Sequence, residues 1–244
     1  MGADLRERLF NDESGRLRVK VCCIGSTLEA DMAIGAGADV LGLVSAMPSG
    51  PGPIPEADIA SIVRHVGTRL ATLLLTSQQD AASIARQLDL IGPTVVQLVD
   101  ALADRQYVEL RTSHPLVALM QVIHVRNAES VREALHVAPF VDAILLDSGN
   151  PSAAVKELGG TGRVHDWGIS RRIRDAVDLP VFLAGGLRPT NVADAIDAVN
   201  PYGVDVCSGV RVGGALDAAV LHDFMRAARG GAIRGDPPAR PPQS

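Results

Sequence analysis

A cysteine and an aspartate stand where predicted buried strands end, and together they could supply a base and an acid. Cys22 lies toward the end of the first predicted strand, 18–24, and Asp147 ends the apolar run from Ala143 to Leu146. A carboxylate that follows a fully apolar strand is costly unless it is hydrogen-bonded or functional. Cysteine is among the residue types most often buried, so Cys22 taken alone is better explained by simple packing.

Two later apolar runs each end in a pair of small residues that could bind phosphate. Gly185-Gly186 and Ser208-Gly209 would expose backbone N–H groups, and Gly213-Gly214 lies where a short phosphate-binding helix would begin. Each pair alone is also typical of a tight turn. With Cys22 and Asp147, the set could isomerise a sugar phosphate. A base removes a proton next to a carbonyl or imine, and an acid protonates a ring atom.

The elements that must position these groups alternate between strand and helix patterns along the chain. The predicted strands are 18–24, 39–44, 69–75, 94–99, 116–125, 141–147, 180–184 and 203–207. The predicted helices are 28–36, 55–66, 79–88, 102–110, 128–137, 169–177, 191–199 and 217–228. Even spacing of such units predicts an α/β fold, a single-domain (β/α)8 TIM barrel, in preference to an open doubly wound sheet. Active sites of such barrels lie at the carboxyl ends of the strands, where Lys20 and Cys22 would share one face.

The two ends of the chain fall outside this pattern. Residues 1–17 are expected to be a capping segment or a frayed end, and residues 18–229 to be the barrel. Residues 230–244 carry four prolines and no apolar periodicity. We expect them to form a disordered tail.

Composition narrows the class of partner. Only 3% of the residues are aromatic and the net charge is −5, which argues against nucleic acid or an anionic membrane as partner but not against a small anionic ligand. The three cysteines, Cys22, Cys23 and Cys207, have no metal-ligand spacing and do not suggest a disulfide framework. Free thiols and a polar N-terminus predict a cytoplasmic protein.

Several motifs occur together in the order and spacing of one known family. They are Val19-Lys-Val-Cys22, Val96-Gln-Leu98, Ile144-Leu-Leu-Asp-Ser148, Gly159-Gly-Thr-Gly162 with Asp166-Trp167, Leu183-Ala-Gly-Gly-Leu187 with Pro189 and Asn191-Val192, and Val204-Asp-Val-Cys-Ser-Gly-Val210. As a set they are specific, and the chain resembles the phosphoribosylanthranilate isomerases over about residues 18–229.

The resemblance implies an Amadori rearrangement of N-(5-phosphoribosyl)anthranilate in tryptophan biosynthesis, with no cofactor and no metal. It implies that Asp147 is the general acid that opens the furanose ring and that Cys22 is the general base that takes the C2 proton. It implies phosphate binding by the backbone at Gly185-Gly186 and Ser208-Gly209. A thiol base must be partly ionised, and we hypothesise that Lys20 lowers the pKa of Cys22, although Lys20 could instead neutralise an acid within the barrel.

The sequence also departs from the family pattern in the part of the active site that should recognise the aromatic acid. Pro51 stands where the family carries an arginine that faces the anthranilate carboxylate, Cys23 replaces a glycine, and Arg211 replaces a glutamate. Other candidates for contacting the substrate are Lys20, Gln97, His124 and Arg211, although His124 also fits a hydrogen-bonded structural residue. Two alternatives therefore stay open: isomerisation of a different N-phosphoribosyl amine, or non-catalytic binding of a phosphate ligand.

Overall fold

The computed structural model describes residues 2–10, 15–149 and 165–231. Eight parallel strands close into a barrel in chain order, and the first strand pairs with the eighth. The predicted (β/α)8 fold is therefore confirmed. The glycine-rich motif at 159–162 and residues 232–244 of the expected tail lie outside the described residues.

Strand and helix bounds differ from the predicted ones by a few residues at most. The barrel strands are β1 (Arg18–Val21), β2 (Val40–Val44), β3 (Ala71–Thr76), β4 (Val95–Leu98), β5 (Ala118–His124), β6 (Ala143–Asp147), β7 (Val181–Leu183) and β8 (Gly203–Val206). The helices are α1 (Gly2–Phe10), α2 (Thr27–Gly35), α3 (Glu56–Val66), α4 (Ala81–Ile91), α5 (Asp104–Ser113), α6 (Glu129–Val137), α7 (Trp167–Ala176), α8 (Val192–Val199) and α9 (Ala218–Gly231). No helix in the described part of the chain combines the length and the apolar character needed to cross a membrane.

The strands are apolar because both of their faces are covered. Val95 and Val99 pack in the barrel interior, whereas Val96 and Leu98 pack in the larger cluster beneath the helices. Successive side chains of a strand point to opposite faces, so Gln97 faces the interior with its neighbours two residues away. The same alternation turns the polar side chains at the strand ends toward the mouth of the barrel.

Helix α1 lies within the extension expected over residues 1–17 and packs against the amino end of the barrel, where the strands begin. Leu9 and Phe10 are buried in the interior cluster. The hydroxyl of Tyr202 donates to the carbonyl of Leu9 at 2.6 Å, and Arg6 pairs with Asp142 at 2.6 Å. Leu9 and Phe10 therefore pack against the barrel interior at its amino end, opposite the strand ends that carry Cys22 and Asp147.

The predicted short helix at Gly213 is wrong. Two short antiparallel strands, β9 (Arg211–Val212) and β10 (Ala215–Leu216), form a hairpin there. Gly213 and Gly214 form its turn with φ of 58° and 86°. Two consecutive left-handed residues suit the tight turn of a hairpin, which is why glycine occupies both positions.

Candidate active site at the barrel mouth

A cavity at the carboxyl end of the barrel brings most of the sequence-predicted site residues together. Predicted residues that line it are Cys22, Gln97, Asp147, Gly185, Gly186 and Ser208. Lys20, His124, Gly209 and Arg211 do not line it. The cavity therefore joins the predicted acid, the predicted base and both predicted phosphate loops.

Cys22 is held at the end of β1 by its backbone and by the space that a glycine leaves. Its N–H donates to the carbonyl of Val206 at 2.8 Å, and the residue is 4% exposed. A Cβ atom at Gly42 in β2 would lie 2.8 Å from Cys22 Sγ and 2.9 Å from Lys20 Cε. Gly42 is thus part of the site. The sequence offered a signal for it, because a lone glycine inside an apolar strand marks a close approach.

Lys20 is fully buried and neutralises an acid within the barrel, which is the alternative role that its position suggested, and that acid is Asp205. Its Nζ lies 2.8 Å from Oδ2 of Asp205, its partner in the register of β1 and β8. Burial alone would lower the pKa of Lys20, but attraction by Asp205 and Cys22 leaves that pKa raised, so the ammonium stays charged. A carboxylate two residues before Cys207 in an apolar strand was the available sequence signal for Asp205.

The Cys22 thiol is a weaker acid than the sequence led us to expect. Burial raises its pKa to about 11, although Lys20 acts in the opposite direction. Lys20 does lower the pKa of Cys22, as hypothesised, but burial outweighs this effect and the pKa is raised overall. The largest cause is burial, which disfavours the thiolate, and the neighbouring Asp205 carboxylate raises the pKa further.

Asp147 reaches the cavity from the last position of β6. Its Oδ1 accepts a hydrogen bond from the N–H of Ser148 at 2.7 Å, and the residue is 9% exposed. His124 lies beside it in the register of β5 and β6. His124 Nε2 donates to the carbonyl of Val99 at 3.0 Å, so its ring is anchored to the barrel and does not face the cavity.

The two predicted phosphate loops touch each other. Gly185 and Gly186 have φ of 86° and 63°, and a Cβ atom at Gly209 would lie only 1.9 Å from the carbonyl oxygen of Leu187. Ser208 begins a short 3-10 helix that runs to Val210, with its amino end at the cavity. Backbone N–H groups at the start of a helix can bind an anion.

Arg211, a predicted substrate contact, serves as a structural brace. Its guanidinium lies 2.9 Å from both carboxylate oxygens of Glu29, 3.0 Å from the carbonyl of Gly214, and donates to the carbonyl of Cys23. These contacts hold the guanidinium in the β9–β10 hairpin, away from the cavity lining. Glu29 in turn accepts from the N–H of Gly25, which fixes the start of α2.

Cys23 and Cys207 form a disulfide, which corrects the expectation of free thiols. Their Cα atoms lie 5.9 Å apart across a sequence separation of 184 residues. Barrel closure places β1 beside β8 and so brings the first and last strands together, a proximity that spacing along the sequence does not show. Both residues line the cavity, and Cys22 is the free cysteine.

The loop after β2 supplies apolar and backbone surface to the cavity. Met47, Ser49, Gly50 and Pro51 line it. Within the described part of the chain, the lining holds no lysine, arginine or histidine. The absence of an arginine at Pro51 is therefore not compensated by another described cation in the lining.

Comparison of the sequence with known proteins identifies one family. The family model for N-(5'-phosphoribosyl)anthranilate (PRA) isomerase matches residues 19–227. An N-(5'-phosphoribosyl)anthranilate isomerase of Haloferax volcanii is 40% identical over 219 residues, which cover 87% of this chain and 93% of that protein. One from Methanosarcina acetivorans is 32% identical over 228 residues, with 88% and 94% covered.

Solved structures agree with these sequence matches. A phosphoribosyl anthranilate isomerase from Thermotoga maritima has a TM-score of 0.73 and 28% identity, covering 88% of this chain and 99% of that one. A phosphoribosyl anthranilate isomerase in complex with reduced 1-(o-carboxyphenylamino)-1-deoxyribulose 5-phosphate has a TM-score of 0.71 and 26% identity, with 88% and 99% covered.

Proposed function

Because this chain belongs to the N-(5'-phosphoribosyl)anthranilate isomerase family, we propose that it converts N-(5-phosphoribosyl)anthranilate to 1-(2-carboxyphenylamino)-1-deoxyribulose 5-phosphate in tryptophan biosynthesis. The observation that carries the proposal is that Cys22 and Asp147 face one cavity together with Gly185-Gly186 and Ser208. A solved relative binds a reduced form of this product.

Asp147 is the general acid in this proposal. Its carboxyl group stands at the open end of β6 and lines the cavity, so it can deliver a proton to the furanose ring oxygen. Protonation breaks the bond between C1 and the ring oxygen and leaves a Schiff base between C1 and the amine nitrogen. Positioned proton transfer of this kind contributes about 10²–10⁴-fold to a rate.

Cys22 is the general base. Its sulfur takes the C2 proton of the Schiff base, and the electron pair moves into an enolamine that tautomerises to the aminoketose. The thiolate must form first, and its pKa of about 11 means that the resting site holds mainly the thiol. Lys20 favours the thiolate as it forms, because its buried ammonium attracts the negative sulfur and forms a hydrogen bond with it.

The phosphate of the substrate would bind at the paired loops after β7 and β8. Their backbone N–H groups and the start of the 3-10 helix at Ser208 supply donors without a cationic side chain. Within the described residues, Gln97 Oε1 and Asp205 Oδ1 are buried without hydrogen-bond partners, and both side chains line the same cavity. They would accept hydrogen bonds from the sugar hydroxyls or from the amine N–H.

A second candidate is the same isomerisation on a different N-phosphoribosyl amine. This candidate is favoured by the cavity lining near the loop after β2, where the amine part of the substrate would lie. Met47 and Pro51 offer apolar contact there, and no described cation lines the cavity to face a substrate carboxylate. An uncharged aromatic amine would meet this surface without an unpaired buried charge.

The test is a fluorescence assay with two substrates. N-(5-phosphoribosyl)anthranilate is generated enzymatically in the cuvette, and the matched N-(5-phosphoribosyl)aniline lacks only the carboxylate. Faster turnover of the anthranilate compound supports the proposal, and faster turnover of the aniline compound supports the second candidate. If neither is turned over, the proposed function is wrong.

The proposal keeps the cytoplasm as the expected location. Cys23 and Cys207 no longer contribute to that expectation, because they are paired. Cell fractionation with an antibody against the chain would test it.

A further inference from the structure

We propose that Cys23 and Cys207 form a redox site that controls substrate binding at the phosphate loop. The inference rests on the proposed function for its kinetic readout, but the redox site itself can be tested without activity. Both cysteines line the active-site cavity, and Cys23 follows the base Cys22 directly.

We call residues 207–211, which contain the 3-10 helix of the proposed phosphate site, the phosphate segment. The disulfide is one of two contacts that attach this segment to Cys23. Cys207 immediately precedes the 3-10 helix Ser208–Val210, and it is bonded to Cys23. Arg211 immediately follows that helix and donates to the carbonyl of Cys23. The phosphate segment is therefore held at both of its ends by one residue of the loop after β1.

Cys23 has a backbone conformation that needs such restraint. Its φ is 63°, in the left-handed region that non-glycine residues rarely adopt. The residue is also covered from the other side, because a Cβ atom at Gly52 would lie 2.6 Å from Cys23 Cβ. Without the disulfide, Cys23 can relax toward negative φ, and the phosphate segment then loses one attachment and shifts at the other.

The chemistry is thiol–disulfide exchange with an external dithiol, which reaches the sulfurs from the cavity. A dithiol thiolate attacks the Cys207 sulfur, forms a mixed disulfide and releases Cys23 as a thiolate. The second dithiol sulfur then displaces Cys207. The dithiol gives up two electrons and ends as a cyclic disulfide, and its two protons end on Cys23 and Cys207. Oxidation by an external disulfide reverses both steps.

The experiment compares the whole protein oxidised with excess disulfide and reduced with dithiothreitol. Thiols are counted in the unfolded protein after removal of the reagent, and KM and kcat are measured for each form. We expect the thiol count to rise from one, Cys22, to three. Reduction should raise KM by about tenfold. Once the disulfide is broken, the left-handed backbone of Cys23 relaxes and the phosphate segment shifts. The change in kcat should be smaller.

Two variants separate the redox site from a general loss of structure. Cys207→Ser should show the high KM whether or not reductant is present. The double variant Cys23→Gly with Cys207→Ser replaces the strained residue with one that adopts positive φ freely, so its KM should be low and insensitive to reductant. A double variant with the same high KM as Cys207→Ser would contradict the role given to the Cys23 backbone.

Phosphate binding distinguishes failure of this inference from failure of the proposed function. If the protein shows no isomerase activity, the affinity for inorganic phosphate, measured by calorimetry, should still fall on reduction. Three free thiols after oxidation, or equal KM and equal phosphate affinity in the two forms, would overturn the proposal.

Discussion

The ammonium of Lys20 lies 2.8 Å from the carboxylate of Asp205, and this pair joins the first and last strands of the barrel directly below Cys22. Lys20 is fully buried, and the Asp205 side chain is 10% exposed. The pair therefore has a structural and an electrostatic consequence. It fixes the register where the barrel closes, and it places two opposite charges near the thiol that must ionise, with Lys20 favouring the thiolate and Asp205 opposing it.

Removing one partner of this pair should destabilise the fold. Asp205→Asn leaves the Lys20 ammonium buried without its counterion, which typically costs about 3–5 kcal/mol of unfolding free energy. Urea denaturation followed by circular dichroism measures the loss. The matched control is the double variant Lys20→Met with Asp205→Leu, which should recover most of the stability while remaining poorly active. A single variant as stable as the wild type would show that the pair is not a structural ion pair.

The activity should rise with pH in the alkaline range. Because burial raises the pKa of the Cys22 thiol to about 11, the thiolate fraction grows about tenfold per pH unit between pH 7 and pH 10, and kcat/KM should follow it. The raised pKa of Cys22 also makes the unfolding free energy fall in the alkaline range. The folded thiol titrates above its ordinary pKa of 9.0, so unfolding free energy is lost as pH rises from about 9 to about 11. Circular dichroism at each pH confirms that the protein stays folded. A kcat/KM that is flat above pH 7 would mean that ionisation of Cys22 does not limit turnover.

Gly42 should be essential to the base although it carries no functional group. Gly42→Ala places a methyl group 2.8 Å from Cys22 Sγ, so the sulfur must move. We expect kcat/KM to fall by about tenfold to 10²-fold, the effect of a misplacement of about 1 Å. The stability should fall by about 1–3 kcal/mol. Gly35→Ala is the matched control, because a Cβ atom there meets nothing within 4 Å. Equal activity of the two variants would contradict the assigned position of Cys22.

Gly209 should matter for binding more than for the chemical step. A Cβ atom at Gly209 would lie 1.9 Å from the carbonyl oxygen of Leu187, so Gly209→Ala must separate the two phosphate loops. Loss of one or two hydrogen bonds to a charged group predicts an increase in KM of about tenfold or more. Gly230→Ala, in open space on α9, should leave KM unchanged. A larger effect on kcat than on KM in Gly209→Ala would contradict a binding role.

The sequence predicted the features that depend on local pattern. Apolar runs that end in Asp147 or in glycine pairs follow from strands buried on both faces, and barrel geometry then requires their ends to meet. The disulfide, which the sequence did not predict, and the identity of the acid that pairs with Lys20 depend on closure of the barrel. The Cys23–Cys207 disulfide and the Lys20–Asp205 pair each join β1 to β8 or its end, positions separated by 184 and 185 residues.

The sequence also could not predict how burial and neighbouring charges combine to set the pKa of Cys22. Lys20 does favour the Cys22 thiolate, as its position suggested, but the size of the burial effect is visible only once every neighbour is placed. Arg211 is a similar case. Its charge suggested a substrate contact, whereas the hairpin after β8 turns it toward Glu29 and the carbonyl of Cys23.

The central claim is that Cys22 and Asp147 are the base and the acid of one isomerisation. The most direct measurement follows the fluorescence of N-(5-phosphoribosyl)anthranilate with wild type, Cys22→Ser and Asp147→Asn, with the exposed Asp89→Asn as control. We expect each active-site variant to reduce kcat by about 10²–10⁴-fold while Asp89→Asn matches the wild type. Wild-type turnover that persists in either Cys22→Ser or Asp147→Asn would contradict the account.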